Sequence, residues 1–115
     1  MEIEYKEFLK LDIRVGLVKN CEKIENSRNL YKLQVDCGDI GVRQILTGIA
    51  SYYSPDELIN EKIVILVNLK SRNIMGFESQ GMLLAADFDN EPFLLKVDER
   101  RGKTIPPGNL LRIRQ

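Results

Sequence analysis

The sequence predicts an all-β domain in which five strands close into a barrel and one short helix is inserted. Two observations predict this class: several segments alternate apolar and polar residues with a period of two, and turn-forming residues separate them. The chain has 115 residues, of which 43% are hydrophobic. This is the size of one domain with one core, so we expect a single domain over residues 1–115.

Three strands are predicted in the first part of the barrel. Apolar residues recur at every second position over residues 11–23, as a half-buried strand requires, and again over residues 31–37, where the alternation is clearest. The two glycines of residues 38–41 permit a reversal of the chain into a third strand over residues 42–47. These strands form an antiparallel meander.

A short helix is predicted after the third strand. Ser54 supplies a capping hydroxyl, Pro55 fits the first helical position, and Glu57 is placed to accept a hydrogen bond from the backbone of the cap. We expect this helix to run through Asn60.

Two more strands are expected beyond the helix. Residues 63–67 are a continuous apolar run, which is typical of a strand covered on both faces, and residues 81–86 are a plausible partner strand. Residues 68–80 between them are expected to form a long loop. A five-stranded barrel with its helix between strands three and four has the order of an OB-fold, and a small sandwich is the alternative.

The two ends of the chain carry more apolar residues than a minimal barrel needs. Tyr5, Phe8 and Leu9 lie at helical spacing, which predicts a short amphipathic helix that docks either on the barrel or on a partner. The tail after the barrel is also rich in apolar residues. We therefore divide the domain into an N-terminal helix (1–10), a barrel (11–90) and a C-terminal extension (91–115).

The charges of the chain cancel, with 17 basic and 17 acidic residues. The chain therefore has no overall positive field that would indicate a nucleic-acid partner, so any nucleic-acid site must be a local basic patch. From Lys96 onward six basic residues stand against two acidic ones, a local charge of +4. This indicates a basic C-terminal face, or alternatively a solvated surface whose charge is uneven.

Several classes of function are disfavoured by composition. No apolar run approaches the roughly 20 residues of a membrane span, and the acidic start does not look like a signal peptide, so we expect no membrane partner and a cytoplasmic location. The chain has no histidine, and Cys21 and Cys37 have no metal-ligand spacing, so we expect them to be small core residues. We expect no metal, no cofactor and no catalysis, since no phosphate-binding loop or activated nucleophile is recognisable either.

Four stretches resemble successive motifs of the tRNA-binding domain family. That family includes the C-terminal domain of methionyl-tRNA synthetases, the endothelial-monocyte-activating polypeptide, stand-alone tRNA-binding proteins and the CsaA-type export chaperones. The resemblance implies an OB-fold that recognises tRNA by shape without catalysis, alone or as an accessory module of a methionyl-tRNA synthetase. The stretches are Leu11-Asp12-Ile13-Arg14-Val15-Gly16, Leu30 to Gly38, Arg43 to Ile49, and Asn68-Leu69-Lys70 through Ser79-Gln80-Gly81-Met82.

The resemblance also implies a homodimer, because stand-alone members of the family pair through the N-terminal helix and the C-terminal extension. The surplus apolar residues at both ends agree with this, since exposed apolar surface often marks an interface. The candidate interface residues are Tyr5, Phe8, Leu9, Ile105, Pro106 and Leu110.

A candidate RNA site is predicted on the loops at the rim of the barrel. Shape-specific RNA binding needs cations and hydrogen-bond donors at phosphates and 2′-hydroxyls, with flat groups for stacking. Tyr31 is an aromatic candidate, although its phase in the strand favours core packing, and the cations are alternatively ordinary loop charges. The candidate residues are Arg28, Lys32, Asn68, Lys70, Arg72, Ser79 and Gln80.

The candidate site has fewer cations than is typical of the family. Asn29, Ser71, Asn73 and Met75 stand where other members carry basic or proline residues, so weaker and less salt-dependent RNA binding is expected. The apolar residues of the segment 72–77 resemble the chaperone branch instead. The alternative function is therefore a CsaA-type, export-related chaperone that holds extended polypeptides.

Overall fold

The computed structural model describes residues 1–114 as a nearly closed five-stranded antiparallel barrel with two small hairpins. The all-β OB-type class expected from the sequence is confirmed. In chain order the elements are α1 (Tyr5–Phe8), β1 (Ile13–Lys23), β2 (Tyr31–Asp36), a 3-10 turn (Gly38–Ile40), β3 (Val42–Thr47), α2 (Pro55–Leu58), β4 (Lys62–Leu66), β5 (Arg72–Ile74), β6 (Phe77–Ser79), β7 (Met82–Leu83), β8 (Ala85–Phe88) and β9 (Glu91–Leu94). The barrel strands follow the order β3-β2-β1-β4-β7.

Strand β1 is long enough to serve two neighbours. Its first half pairs with β4, starting at Ile13 opposite Leu66, and its second half pairs with β2, ending at Lys23 opposite Tyr31. An irregularity between Val18 and Asn20 bends the strand, as a bulge does, so that it follows the wall of the barrel.

The core is built chiefly from the inward residues of β2 and β4. Leu33, Val35, Ile63 and Ile65 have no exposed surface. Tyr31 is also buried, and its hydroxyl donates to the backbone oxygen of Tyr53 over 2.7 Å. The period-two prediction for this strand is therefore confirmed, and Tyr31 is a core residue, unavailable for base stacking.

Helix α2 carries the capping box that the sequence predicts. The backbone N–H of Ser54 donates to Oε1 of Glu57 over 2.8 Å, and the helix buries Leu58 against β1. It ends before the expected Asn60, because that residue adopts a left-handed φ of 69° and donates its N–H to the backbone oxygen of Val18. Neither α-helix within residues 1–114 is long and apolar enough to cross a membrane.

Two expectations for the second half of the barrel are wrong in detail. The expected loop 68–80 contains the hairpin β5–β6, which reverses at Met75 and Gly76, both with positive φ. The expected strand 81–86 is divided at Leu84, so that β7 pairs with β4 while β8 pairs with β9. A methionine in the left-handed region is not a turn signal, which is why the first hairpin was missed.

The C-terminal extension runs back along β1. The N–H of Val15 donates to the oxygen of Asn109, and the N–H of Gly108 donates to the oxygen of Val15 over 2.7 Å. A Cβ on Gly108 would lie 2.5 Å from the backbone oxygen of Cys37, so only glycine permits this close crossing. The first residues of the expected extension, Glu91–Leu94, form β9, and Gln115, the last residue of the extension, lies outside the described residues.

Candidate functional site

The outer face of β2 and β3 is partly covered by the hairpin β5–β6. The strand register places Lys32 opposite Leu46 and Gln34 opposite Gln44. The backbone N–H of Leu46 donates to Oγ of Ser79 over 3.1 Å, which ties the hairpin to β3. Leu46 is buried, whereas the first residue of β3, Val42, is exposed.

Gln44 joins the hairpin to the barrel through both its backbone and its side chain. Its backbone N–H donates to Oε1 of Gln80 over 3.0 Å, and its backbone oxygen accepts from the N–H of Gln80 over 2.7 Å. Its Nε2 donates to the backbone oxygen of Glu78, while its Oε1 accepts from Gln34. The Gln80 side chain, a predicted RNA ligand, is therefore engaged in holding the hairpin.

Lys32 is engaged in the same way. Its Nζ lies 4.5 Å from the centre of the Phe77 ring and 3.0 Å from a carboxylate oxygen of Glu22. The Lys32 side chain is only 20% exposed. A lysine placed over an aromatic ring and paired with a carboxylate stabilises the hairpin before any ligand arrives.

Two further predicted ligands have internal partners. Ser79 is 3% exposed and its hydroxyl donates to the oxygen of Gly81, so this predicted ligand is buried and not presented to solvent. The carboxamide of Asn68 accepts from the N–H of Asp12 and donates to the oxygen of Lys10 over 2.6 Å. Asn68 thereby fixes the segment that joins α1 to the barrel.

Arg28, Lys70 and Arg72 are the predicted cations that face solvent. Within residues 1–114 none of the three lies within 4.0 Å of a carboxylate oxygen. They do not form one compact cluster, because Arg28 belongs to the loop at the end where β1 meets β2, and Lys70 follows β4 at the opposite end of β1. A ligand that touches all three must be extended.

An open groove of about 400 Å³ lies next to Lys70 and is lined by residues from both ends of the 68–80 segment. Arg43, half-exposed on β3, is part of its wall. Arg43 was not predicted as a ligand from the sequence, although it lies in one of the four motif stretches. The other lining residues are Asp12, Ile40, Val67, Asn68, Leu69, Ser71, Glu78 and Gln80.

A second groove, of about 560 Å³, separates the tip of the hairpin β5–β6 from the loop after β1. Met75 is 54% exposed at the tip, and Phe77 and Ile24 contribute apolar surface. Glu22 and Glu25 also line it, so the groove combines apolar and acidic walls. It is the location expected for peptide binding under the chaperone alternative.

The third cavity lies between α1 and the C-terminal extension and measures about 460 Å³. Tyr5, Phe8, Leu9 and Leu110 line it, and all but Phe8 are more than 40% exposed. The structure thus brings together the two ends of the chain that the sequence suggested. Ile105 and Pro106 do not line this cavity.

The two thiols differ in exposure, since Cys21 is half-buried and Cys37 is buried. Burial raises the pKa of the Cys21 thiol to about 11 and also raises the pKa of Cys37, so neither is a thiolate at neutral pH. Both are free cysteines. Among the described residues, no group of three potential metal-binding side chains lies together.

Comparison with known proteins decides the family. Residues 13–106 match the family model described as a putative tRNA binding domain. The chain belongs to this tRNA-binding domain family. A methionine-tRNA ligase of Methanosarcina acetivorans is 42% identical over 111 residues, which is 96% of this chain and 15% of the ligase.

Solved structures agree with this assignment. The MetRS related protein from Pyrococcus horikoshii is 40% identical with a TM-score of 0.86, covering 97% of this chain and all of that one. The CsaA chaperone protein from Picrophilus torridus is 33% identical with a TM-score of 0.85, covering 96% of this chain and all of that one. This chain spans 12% to 16% of the length of the ligases it matches, so it corresponds to their tRNA-binding region and to no catalytic part.

Proposed function

We propose that this chain binds tRNA by its shape, without catalysis, through the backbone phosphates that Arg28, Lys70 and Arg72 reach. The observation that carries the proposal is that these three cations are exposed and lack acidic partners within residues 1–114, on the loops of a tRNA-binding-family barrel. Phosphate contacts are made by such unpaired cations.

The distribution of the cations favours a large, folded RNA. Because Arg28 and Lys70 lie at opposite ends of β1, an eleven-residue strand, a single nucleotide cannot contact both. Recognition of backbone geometry over an extended surface is the mode by which folded RNA is read by shape. The net charge of zero argues against a nonspecific polyanion binder.

We further propose that the chain acts as a homodimer and serves a methionyl-tRNA synthetase. The cavity lined by Tyr5, Phe8, Leu9 and Leu110 supports pairing, because it exposes apolar side chains from both ends of the chain. The predicted Ile105 and Pro106 would then lie beside the interface. The methionine-tRNA ligases among its relatives support the synthetase partner, and tRNA as ligand supports action in the cytoplasm.

A filter-binding titration with mixed tRNA tests the proposal. We expect Lys70→Ala combined with Arg72→Ala to weaken binding several-fold with the fold intact, because both side chains lie in exposed segments. Arg101→Ala combined with Lys103→Ala is the matched control, since these residues of the extension are also exposed. An equal loss in both double variants, or no saturable binding of the parent chain at low salt, would contradict the proposal.

A polypeptide chaperone is the second candidate, and the groove between the loop after β1 and the hairpin tip that carries Met75 and Phe77 favours it. The likeness to the CsaA chaperone protein adds support. If the chain is a chaperone, Met75→Lys should abolish its suppression of aggregation of an unfolded protein and leave tRNA binding unchanged.

A further inference from the structure

The hairpin β8–β9 presents an apolar face that no other part of residues 1–114 covers. Its register pairs Ala86 with Phe93 and Phe88 with Glu91, which puts both phenylalanines on one face. Phe88 is 66% exposed and Phe93 44% exposed, with ring centres 6.5 Å apart. Leu95, 43% exposed, follows Phe93 in the same phase. Every residue of β8 is exposed.

The surroundings of this face carry more acidic than basic charge, because Lys96, the lysine that follows Leu95, is already paired with Glu61. Residues 73–95 contain four acidic residues and no lysine or arginine, and residues 44–61 contain three acidic residues and again no basic one. The two segments meet in space, because the hydroxyl of Tyr52 donates to the backbone oxygen of Asn90 over 3.2 Å. Glu91 on the face and Asp89 in the turn form no ion pair within residues 1–114.

The hairpin is held from its inner side, so that the apolar face points outward. The N–H of Leu94 donates to the hydroxyl of Tyr53, and that hydroxyl donates to the oxygen of Pro92. The turn at Asp89 and Asn90, with φ of 54° and 62°, is one that these residue types accept readily. An isolated two-stranded hairpin is only marginally stable, so this anchoring makes the surface a fixed platform.

We propose that this acidic aromatic face, formed by Tyr52, Ala86, Phe88, Glu91, Phe93 and Leu95 and flanked by Asp89 of the turn, docks a basic polypeptide segment that carries apolar side chains. The phenylalanine rings supply apolar anchors and bind the stems and charges of lysine or arginine, while the carboxylates attract the same cations. RNA phosphates are repelled by these carboxylates. A second copy of the chain that docked through the same face would bring identical carboxylates together. A basic protein segment is therefore the occupant that both the charge and the apolar surface fit.

A peptide titration tests this surface directly. The probe is a synthetic helical peptide of lysine and leucine with one tryptophan, whose fluorescence is unobscured because this chain has no tryptophan. We expect saturable binding that weakens with salt, and no binding of a matched peptide in which glutamate replaces lysine. Phe88→Ser combined with Phe93→Ser should weaken binding about tenfold, as the loss of interface anchors does. Leu69→Ser, at an exposed apolar residue elsewhere, is the matched control.

A charge variant keeps the test decisive if the double serine variant is unstable. Glu91→Lys should weaken peptide binding several-fold and leave tRNA binding no weaker, since Glu91 does not belong to the proposed tRNA site. Unchanged peptide affinity in a folded variant would overturn the proposal. Loss of tRNA binding in the serine variant would also overturn the proposal, because it would assign the face to RNA. Conversion of that variant from dimer to monomer in sedimentation would overturn it by assigning the face to a second copy.

Discussion

At the scale of single residues, exposure and existing partners separate binding groups from structural ones. Lys32 and Lys70 look equivalent in the sequence, yet Lys32 already contacts Phe77 and Glu22 whereas Lys70 is exposed. The sequence correctly placed Lys32 on the polar side of its strand. It could not reveal the contact with Phe77, because that contact depends on a hairpin whose turn contains Met75 in an unfavourable conformation.

Replacing Lys32 tests its structural role. Lys32→Met removes the ion pair and the cation–π contact, so we expect the free energy of unfolding to fall by about 1 kcal/mol in a urea titration. The salt dependence of tRNA binding should not change, because no phosphate contact is lost. Lys19→Met, at an exposed position of β1, is the control. A salt slope reduced by about 0.7 to 0.9 would instead make Lys32 a phosphate ligand.

At the scale of elements, local patterns predicted the strands that are buried in alternation and missed those defined by long-range contacts. Strand β2 and the cap of α2 were predicted correctly, since a period of two and a capping box are local signals. The break at Leu84 was not predictable, because the N–H of Leu84 donates to the oxygen of Val64 on β4 while its oxygen accepts from the N–H of Leu95. The close crossing of Gly108 over Cys37 was not predictable from local sequence patterns either.

The crossing of the extension over Cys37, just after β2, predicts that alanine substitutions at two glycines differ in their cost in unfolding free energy. Gly108 and Gly76 share a φ of 88°, but a Cβ at Gly76 would meet nothing within 4 Å. We expect Gly76→Ala to cost about 1 kcal/mol in unfolding free energy, from the conformation alone, and Gly108→Ala to cost about 2 kcal/mol or more, because the clash with Cys37 is added. Equal costs in urea unfolding would mean that the extension does not pack as described.

The attachment of the extension to β4 should depend on pH. The hydrogen bond from Lys62 and then that from the backbone of Ile105 lower the pKa of Glu99 from its usual value. A lowered folded-state pKa means stabilisation that is present above the usual carboxylate range and is lost as pH falls through the folded-state pKa. In thermal unfolding, Glu99→Gln should therefore be less stable than the parent at pH 7, and the difference should vanish in acid. A difference independent of pH would contradict this role.

At the scale of the whole molecule, the fold was predictable and the ligand surface only partly so. Composition and periodicity sufficed for one all-β barrel, and the motifs sufficed for its family. The candidate site was predicted as one rim cluster, whereas the structure gives Ser79, Gln80, Asn68 and Lys32 internal partners. Which polar side chains are already satisfied depends on tertiary contacts, and a single sequence does not contain that information.

In the proposed function, a barrel of zero net charge binds tRNA through a small number of unpaired cations. The most direct test is the slope of the logarithm of the tRNA association constant against the logarithm of salt concentration. Three phosphate contacts, from Arg28, Lys70 and Arg72, predict a slope of about −2 to −3 per bound chain. A slope near zero, or tRNA binding that fails to saturate at low salt, would contradict the account.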